Sequence, residues 1–233
     1  MEAALAEELG EIAQQSTTMK VHNQVPGGVH CSGDLTDSYR INLHSRIASR
    51  VLMRMGHSSY SNENDIYDLV LAQPWEDWFD VDHTIRVDVT AIKSPLRSLE
   101  FTTLKIKDAV CDRFRDQFNK RPSVNTREPD MRIVGFLDQR NFTIYLDTSG
   151  EALFKRGWRE ETGDAPLREN LAAGMLRVSG WKPGTVLFDP MCGSGTILIE
   201  AAQQVQGIPS GARRKFAFEK FHTFDPAPWQ EMK

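Results

Sequence analysis

The stretch FDPMCGSGT, residues 188–196, holds the residue types best suited to binding chemistry: a carboxylate at Asp189, then glycines at Gly193 and Gly195, placed between an apolar run and a helix-like pattern. Glycine lets the backbone take positive φ and lets a ligand come close to the main chain. The first N–H groups of a following helix are free to donate, and Asp189 adds a negative charge or an acceptor beside them. Such residues can build a small-molecule site where a buried strand ends. Spacing narrows the ligand. A nucleoside triphosphate loop requires G-x-x-x-x-G-K-[ST], and no lysine follows Gly195; a dinucleotide fingerprint requires a third small residue where Leu198 stands. A carboxylate close to the loop suits a cationic ligand better than a pyrophosphate. Two glycines after a strand are also compatible with a plain strand-to-helix turn.

The elements that must position this loop can be read from hydrophobic spacing. After Gly150 the polar, punctuated EALFKRGWREETGDAP is followed by Leu167, Leu171, Met175 and Val178, a helix that Pro166 opens and Gly180 closes. TVLFD, residues 185–189, reads as a strand, and Ile197, Ala201 and Val205 mark a helix ending at Gly207. Strand, glycine loop and helix form the opening unit of a doubly wound domain. Upstream, Leu5, Leu9 and Ile12 predict a short helix, and Pro26, Gly27 and Gly28 divide two extended pieces of a hairpin. Tyr39, Leu43, Ile47 and Val51 recur every fourth residue and predict one helix over 35–55, with Arg46 and Arg50 sharing another face. Residues 56–83 carry loop signals around a short apolar stretch. Ile85, Val87, Val89 and Ala91 alternate as a strand, residues 101–118 return to helical spacing, and two strand-like runs flank Asp138–Asn141. DPAPW, residues 225–229, reads as a loop.

Bulk properties exclude several classes. The chain has 233 residues, 26% of them charged, with a net charge of −4, enough length for one whole domain and part or all of another. No stretch approaches a membrane span, and the acidic, amphipathic start is unlike a secretion signal, so a soluble, cytoplasmic location without membrane attachment is expected. Three widely spaced cysteines with no C-x-x-C indicate neither a disulfide framework nor a metal site.

Longer blocks carry more specific information. LDTSGEALFKRGWR, APLRENLAAGMLRVSGW and LFDPMCGSGTILIEAA, in this order, resemble the junction and first methyltransferase motif of the THUMP-domain RNA methyltransferases. VPGGVHCSGDL, SRIASRVLMRM and LKIKDAVCDRFRDQFNKRPSV are similar to the RNA-binding region of the same proteins. Within the family the chain resembles most the bacterial enzymes that methylate the N2 amine of a guanine in large-subunit ribosomal RNA.

The resemblance implies an α+β N-terminal RNA-binding region, THUMP-like with ferredoxin-like elements, over 1–150, followed over 151–233 by the start of an α/β Rossmann-like methyltransferase domain. It implies S-adenosylmethionine as cofactor, with Asp189, Pro190, Cys192, Gly193, Gly195 and Thr196 along its methionine side and Ala165, Pro166 and Leu167 as further candidates. Cys192 is read as a packing residue, since transfer to an amine needs no nucleophile from the enzyme. Ribosomal RNA is the implied partner. Between residues 91 and 124 eight Lys or Arg stand against four acids, so a locally basic stretch lies in an acidic chain. Lys105, Lys107, Arg113, Arg115, Arg46 and Arg50 are the candidate RNA contacts; a solvated ion-pair face is the competing reading of the same charges.

Two features that the family carries downstream are absent from these residues: an acid for the cofactor ribose and an Asn-Pro-Pro-Tyr-like motif that holds the target amine. The catalytic residues are therefore expected beyond Lys233, the chain is expected to be inactive alone, and its beginning also looks clipped. The alternatives are an RNA-binding module without catalysis and an adenine-N6 DNA methyltransferase.

Overall fold

The computed structural model describes residues 1–159 and 166–233. They group into two compact units, Met1–Val51 with Glu151–Lys215 and Asp225–Lys233, and Leu52–Gly150 with Phe216–Phe224. Compactness thus joins the two ends of the chain into one unit and sets the middle apart.

The first unit begins with helix α1 (Glu2–Ala13) against an antiparallel hairpin, β1 (Lys20–Val25) and β2 (Gly28–Ser32), turned at Gly27 with φ +83°. Leu9, Ile12, Met19 and Ile41 form its core, with Leu5, Val21 and Val29 around them. Helix α2 (Leu35–His44) starts with a reciprocal cap, in which Asp34 accepts from the Asp37 N–H and Asp37 from that of Asp34. It ends at His44, eleven residues short of the expected Met55. The reason lies far away in sequence: the buried carboxylate of Glu8 accepts the backbone N–H groups of Arg46 (2.9 Å) and Ile47 (3.2 Å) and the Ser45 hydroxyl (2.6 Å). Those donors leave the helical ladder, so Arg46 and Arg50 do not share a helix face. Burial pushes the Glu8 carboxyl pKa up, against the lowering effect of these bonds.

Later parts of this unit are α5 (Glu169–Val178), α6 (Thr196–Val205) and α7 (Pro226–Met232). Pro166 precedes α5 by three residues and is not in its first turn, because Arg168 is the N-cap. The residues read as a DPAPW loop open α7: Asp225 caps the Ala227 N–H at 2.9 Å, and the buried Trp229 meets Tyr39 edge-on at 6.2 Å.

In the second unit a four-stranded sheet runs β3 (Leu52–Ser59), β6 (Asn141–Asp147), β5 (Met131–Leu137) and β4 (Ile85–Ala91). β6 is antiparallel to both neighbours, while β4 and β5 are parallel, which requires a crossover. Helix α4 (Leu99–Phe118) supplies it and packs on the sheet beside α3 (Glu63–Leu71). Ile106, Val110 and Phe114 of α4 are buried, as are Ile133 and Leu137 of β5 and Ile144 and Leu146 of β6. The unit is a mixed α+β fold, as the mixture of strand and helix patterns without strict alternation predicts.

Candidate cofactor site and basic face

Asp189 to Thr196 lies in the first unit. Residues 185–189 form no strand, contrary to the expectation for TVLFD, because no described segment lies alongside to complete a ladder. Val186 and Phe188 are 96% and 82% exposed. The turn itself is built as expected. Asp189 Oδ1 accepts the Met191 N–H at 3.1 Å, the Gly195 N–H donates to the Cys192 carbonyl at 2.7 Å, and Gly195 caps α6 with φ +74°.

Gly193 has φ +52°, and a methyl group built on its Cα would meet open space; at Gly195 one would touch only Ile199 Cδ1 at 3.9 Å. The loop is therefore not filled by neighbouring side chains. Pro190, Cys192 and Gly193 are exposed, Asp189 is half-buried and Thr196 is buried. Pro166 is exposed and Leu167 half-buried, while Ala165 lies outside the described residues.

Two buried ion-pair systems that the sequence reading missed hold this loop and α6. Glu200, fully buried on α6, faces Arg156 at 3.2 Å and Arg46 at 3.3 Å. Arg156 also donates to the Leu153 and Arg46 carbonyls, and Arg46 to the carbonyl of Ile208. Arg46 is thus committed inside the unit, and desolvation lowers its pKa. In the second system Arg159 Nε donates to the buried Glu169 at 2.9 Å, Nη2 to Thr196 Oγ1 at 2.9 Å and to the Leu167 carbonyl at 3.2 Å, and Nη1 to Ser194 Oγ at 3.3 Å. The guanidinium also lies 5.1 Å from the Trp158 ring. A lone acid in the apolar run ILIEAA was the available signal for Glu200, whereas its partners, 44 and 154 residues away, leave no local trace.

The other RNA candidates except Arg50 lie on α4, in the second unit. Arg113 is paired with Glu76 and Arg115 with Asp112, and Lys107 lies 2.5 Å from Asp108. Lys105 Nζ stands 5.6 Å from the Tyr67 ring centre and 5.8 Å from that of the exposed Phe101. Burial, then the Asp112 carboxylate, push the Tyr67 hydroxyl up to about 12. Arg50 is half-buried just beyond α2. Among the described residues no cluster of His, Cys, Asp or Glu could hold a metal, and no helix is long and apolar enough to cross a membrane.

Three family models match in chain order: the RlmL ferredoxin-like domain over residues 1–52, the THUMP domain over 60–147, and the RMKL-like methyltransferase domain over 156–232. The chain thus carries a THUMP-domain match followed by a methyltransferase-domain match. It is 46% identical over 211 residues to the ribosomal RNA large subunit methyltransferase K/L of Psychromonas ingrahamii, covering 90% of this chain and 28% of that protein. A solved "predicted N6-adenine-specific DNA methylase" from Listeria monocytogenes superposes with a TM-score of 0.84 at 29% identity, covering 99% of this chain and 60% of the other. SMU.472, solved in complex with SAH, does so with a TM-score of 0.81 at 27% identity, covering 98% and 60%. The chain thus spans under a third of the curated relative and three fifths of these two solved structures.

Proposed function

We propose that this chain is the RNA-gripping and cofactor-binding part of an enzyme that transfers a methyl group from S-adenosylmethionine to the guanine N2 amine of large-subunit ribosomal RNA. The carrying observation is the open, positive-φ glycine loop at Gly193, within the region matched by the methyltransferase model and similar to a protein solved with the cofactor's demethylated product. Asp189, Pro190, Cys192, Gly193, Gly195 and Thr196 would hold the cofactor, with Pro166, Leu167 and Ala165 bordering it; the loop is open, Asp189 lies at its edge, and α6 begins with no side-chain cap on its first N–H groups. When bound, the cofactor supplies an electrophilic methyl group on a sulfonium. The chain's own residues orient that end and position RNA.

Functionally, residues 1–150 carry the RNA side and 151–233 the cofactor side. Lys105, with its exposed Phe101 neighbour, is the RNA contact that the geometry favours, since Arg113 and Arg115 are already ion-paired. The 233 residues hold no Asn-Pro-Pro-Tyr-like motif to seat the amine, so cofactor binding without turnover is the expected behaviour of the isolated chain in the cytoplasm or in vitro.

Incubation of ribosomal RNA with labelled S-adenosylmethionine, followed by nucleoside mass spectrometry, tests both parts. The isolated chain should bind the cofactor and yield no methylated nucleoside; turnover by the chain alone would overturn the inactivity. For the Psychromonas relative the same assay should yield N2-methylguanosine. The name of the Listeria neighbour supports a second reading, adenine-N6 methylation of DNA, and N6-methyladenine in a DNA substrate would establish it instead.

A further inference from the structure

We propose that Arg159 recognises the carboxylate of the cofactor's methionine tail and so makes this site selective for an amino-acid-bearing nucleoside. The inference rests on the cofactor reading above and assigns to it a residue outside the glycine loop. An amino-acid tail brings a full negative charge, which in a partly enclosed site needs a cation or several N–H donors. Among the described residues Arg159 is the cation hydrogen-bonded to this loop. Its side chain reaches both Ser194, between the two glycines, and Thr196, at the first turn of α6.

The donor inventory of the guanidinium leaves room for a ligand. It carries five N–H bonds in a fixed fork. Nε is used by Glu169, and Nη2 by Thr196 and the Leu167 carbonyl. Nη1 makes one bond of 3.3 Å to the exposed Ser194 hydroxyl, so one of its N–H groups has no partner among the described residues and the other has a weak one. Both are available to a carboxylate. The fork is oriented before any ligand arrives, because Glu169 is 5% exposed, Thr196 is 3% exposed and Trp158 lies beside the guanidinium. Arg156, by contrast, is directed at Glu200 and at two backbone carbonyls away from the loop. Glu169 balances the charge of Arg159 in the free protein, while the open side of the fork keeps its directional donors.

Two ligands separate recognition from scaffolding. S-adenosylhomocysteine carries the tail; 5′-methylthioadenosine has the same nucleoside and thioether without it. Calorimetric titration of wild-type protein, Arg159→Gln and Arg159→Lys with each ligand is the experiment. Arg159→Gln should weaken S-adenosylhomocysteine about 10- to 100-fold, the scale of a charge-assisted hydrogen-bonded pair, and leave 5′-methylthioadenosine within about 2-fold. Arg159→Lys, which keeps the charge and loses the fork, should fall between wild type and Gln for the first ligand only. Equal weakening of both ligands would mean that Arg159 merely shapes the loop, and an unchanged affinity for S-adenosylhomocysteine would also overturn the inference. If Arg159→Gln does not fold, the ratio of the two affinities in Arg159→Lys decides by the same criterion. A wild-type protein that binds neither ligand overturns the cofactor reading itself, and this inference with it.

Discussion

Two apolar runs of similar composition, MRIVGFL at 131–137 and TVLFD at 185–189, have opposite fates. The first becomes β5, paired on both sides in continuous register with β4 and β6 and covered by α4, so that Met131, Ile133 and Leu137 are fully buried. The second pairs with nothing among the described residues and leaves Val186 and Phe188 in solvent. Propensity is alike in the two; what differs is the supply of neighbours that satisfy the backbone and cover the side chains. A strand is a property of a sheet, whereas the glycine turn beside TVLFD forms from bonds among residues 189–199.

Substitutions at buried sites in the two units should show how far this contrast extends. Phe114, 1% exposed on α4, has its ring 5.2 Å from that of Phe79. Phe114→Ala should destabilise the second unit by about 3–5 kcal/mol, through lost burial and an unfilled cavity. Amide exchange on β5, measured by mass spectrometry, should accelerate accordingly; unchanged protection would mean that the sheet does not depend on its helix. Glu200→Gln tests the first unit at its own buried point. It would leave Arg46 and Arg156 facing a neutral amide, at a cost of about 3–5 kcal/mol. Exchange should increase in α6 and leave β5 unchanged, which sharpens the division of the chain into two units.

Legibility in the sequence follows the same line. Helix α4, the hairpin at Gly27 and the strands β4, β5 and β6 were readable because hydrophobic period and turn residues agreed over each segment. The glycine loop was readable because positive φ at Gly193 and Gly195 is a local demand. The end of α2 was not. Ile47 does belong to a core, with Ala4 and Ala173, so its spacing carried a true burial signal; but Glu8, 38 and 39 residues upstream of Arg46 and Ile47, takes the N–H groups that a longer helix would need. Arg46 misled for a related reason: a guanidinium held by Glu200, 154 residues away, has the same local sequence signature as a solvent-facing phosphate contact. Arg159 carries no local signal, since its place at the loop depends on Ser194, Thr196 and Glu169 converging on it.

A smaller effect concerns pH in the second unit. Burial alone would raise the Asp130 carboxyl, but the Lys220 ammonium at 2.5 Å and the Thr84 N–H and hydroxyl at 2.9 and 2.8 Å outweigh it and hold the pKa at about 2, below the ordinary 3.8. A carboxyl whose folded pKa is depressed binds protons more readily when unfolded. Its contribution is therefore present above pH 3.8 and disappears as pH falls from 3.8 through 2. Solvent screening reduces it to about 1 kcal/mol. Denaturation curves of wild type and Asp130→Asn should differ by about this amount at pH 6 and converge near pH 2. A constant difference across that range would place the effect in packing instead.

The smallest expected effect bears most directly on the two runs. Phe188 is 82% exposed, so Phe188→Ala removes little buried surface and should change stability by no more than about 0.5 kcal/mol, against several for Phe114→Ala. Since the residue types are the same, any difference isolates burial from chemistry. The measurement is thermal unfolding of the two variants beside wild type, with amide exchange at residues 185–189 as a local readout. Rapid exchange there with an unchanged midpoint is the expected pair of results. A loss at Phe188 comparable to that at Phe114, or slow exchange along 185–189, would show that the run is paired and covered in solution, and the contrast between the two runs would fail.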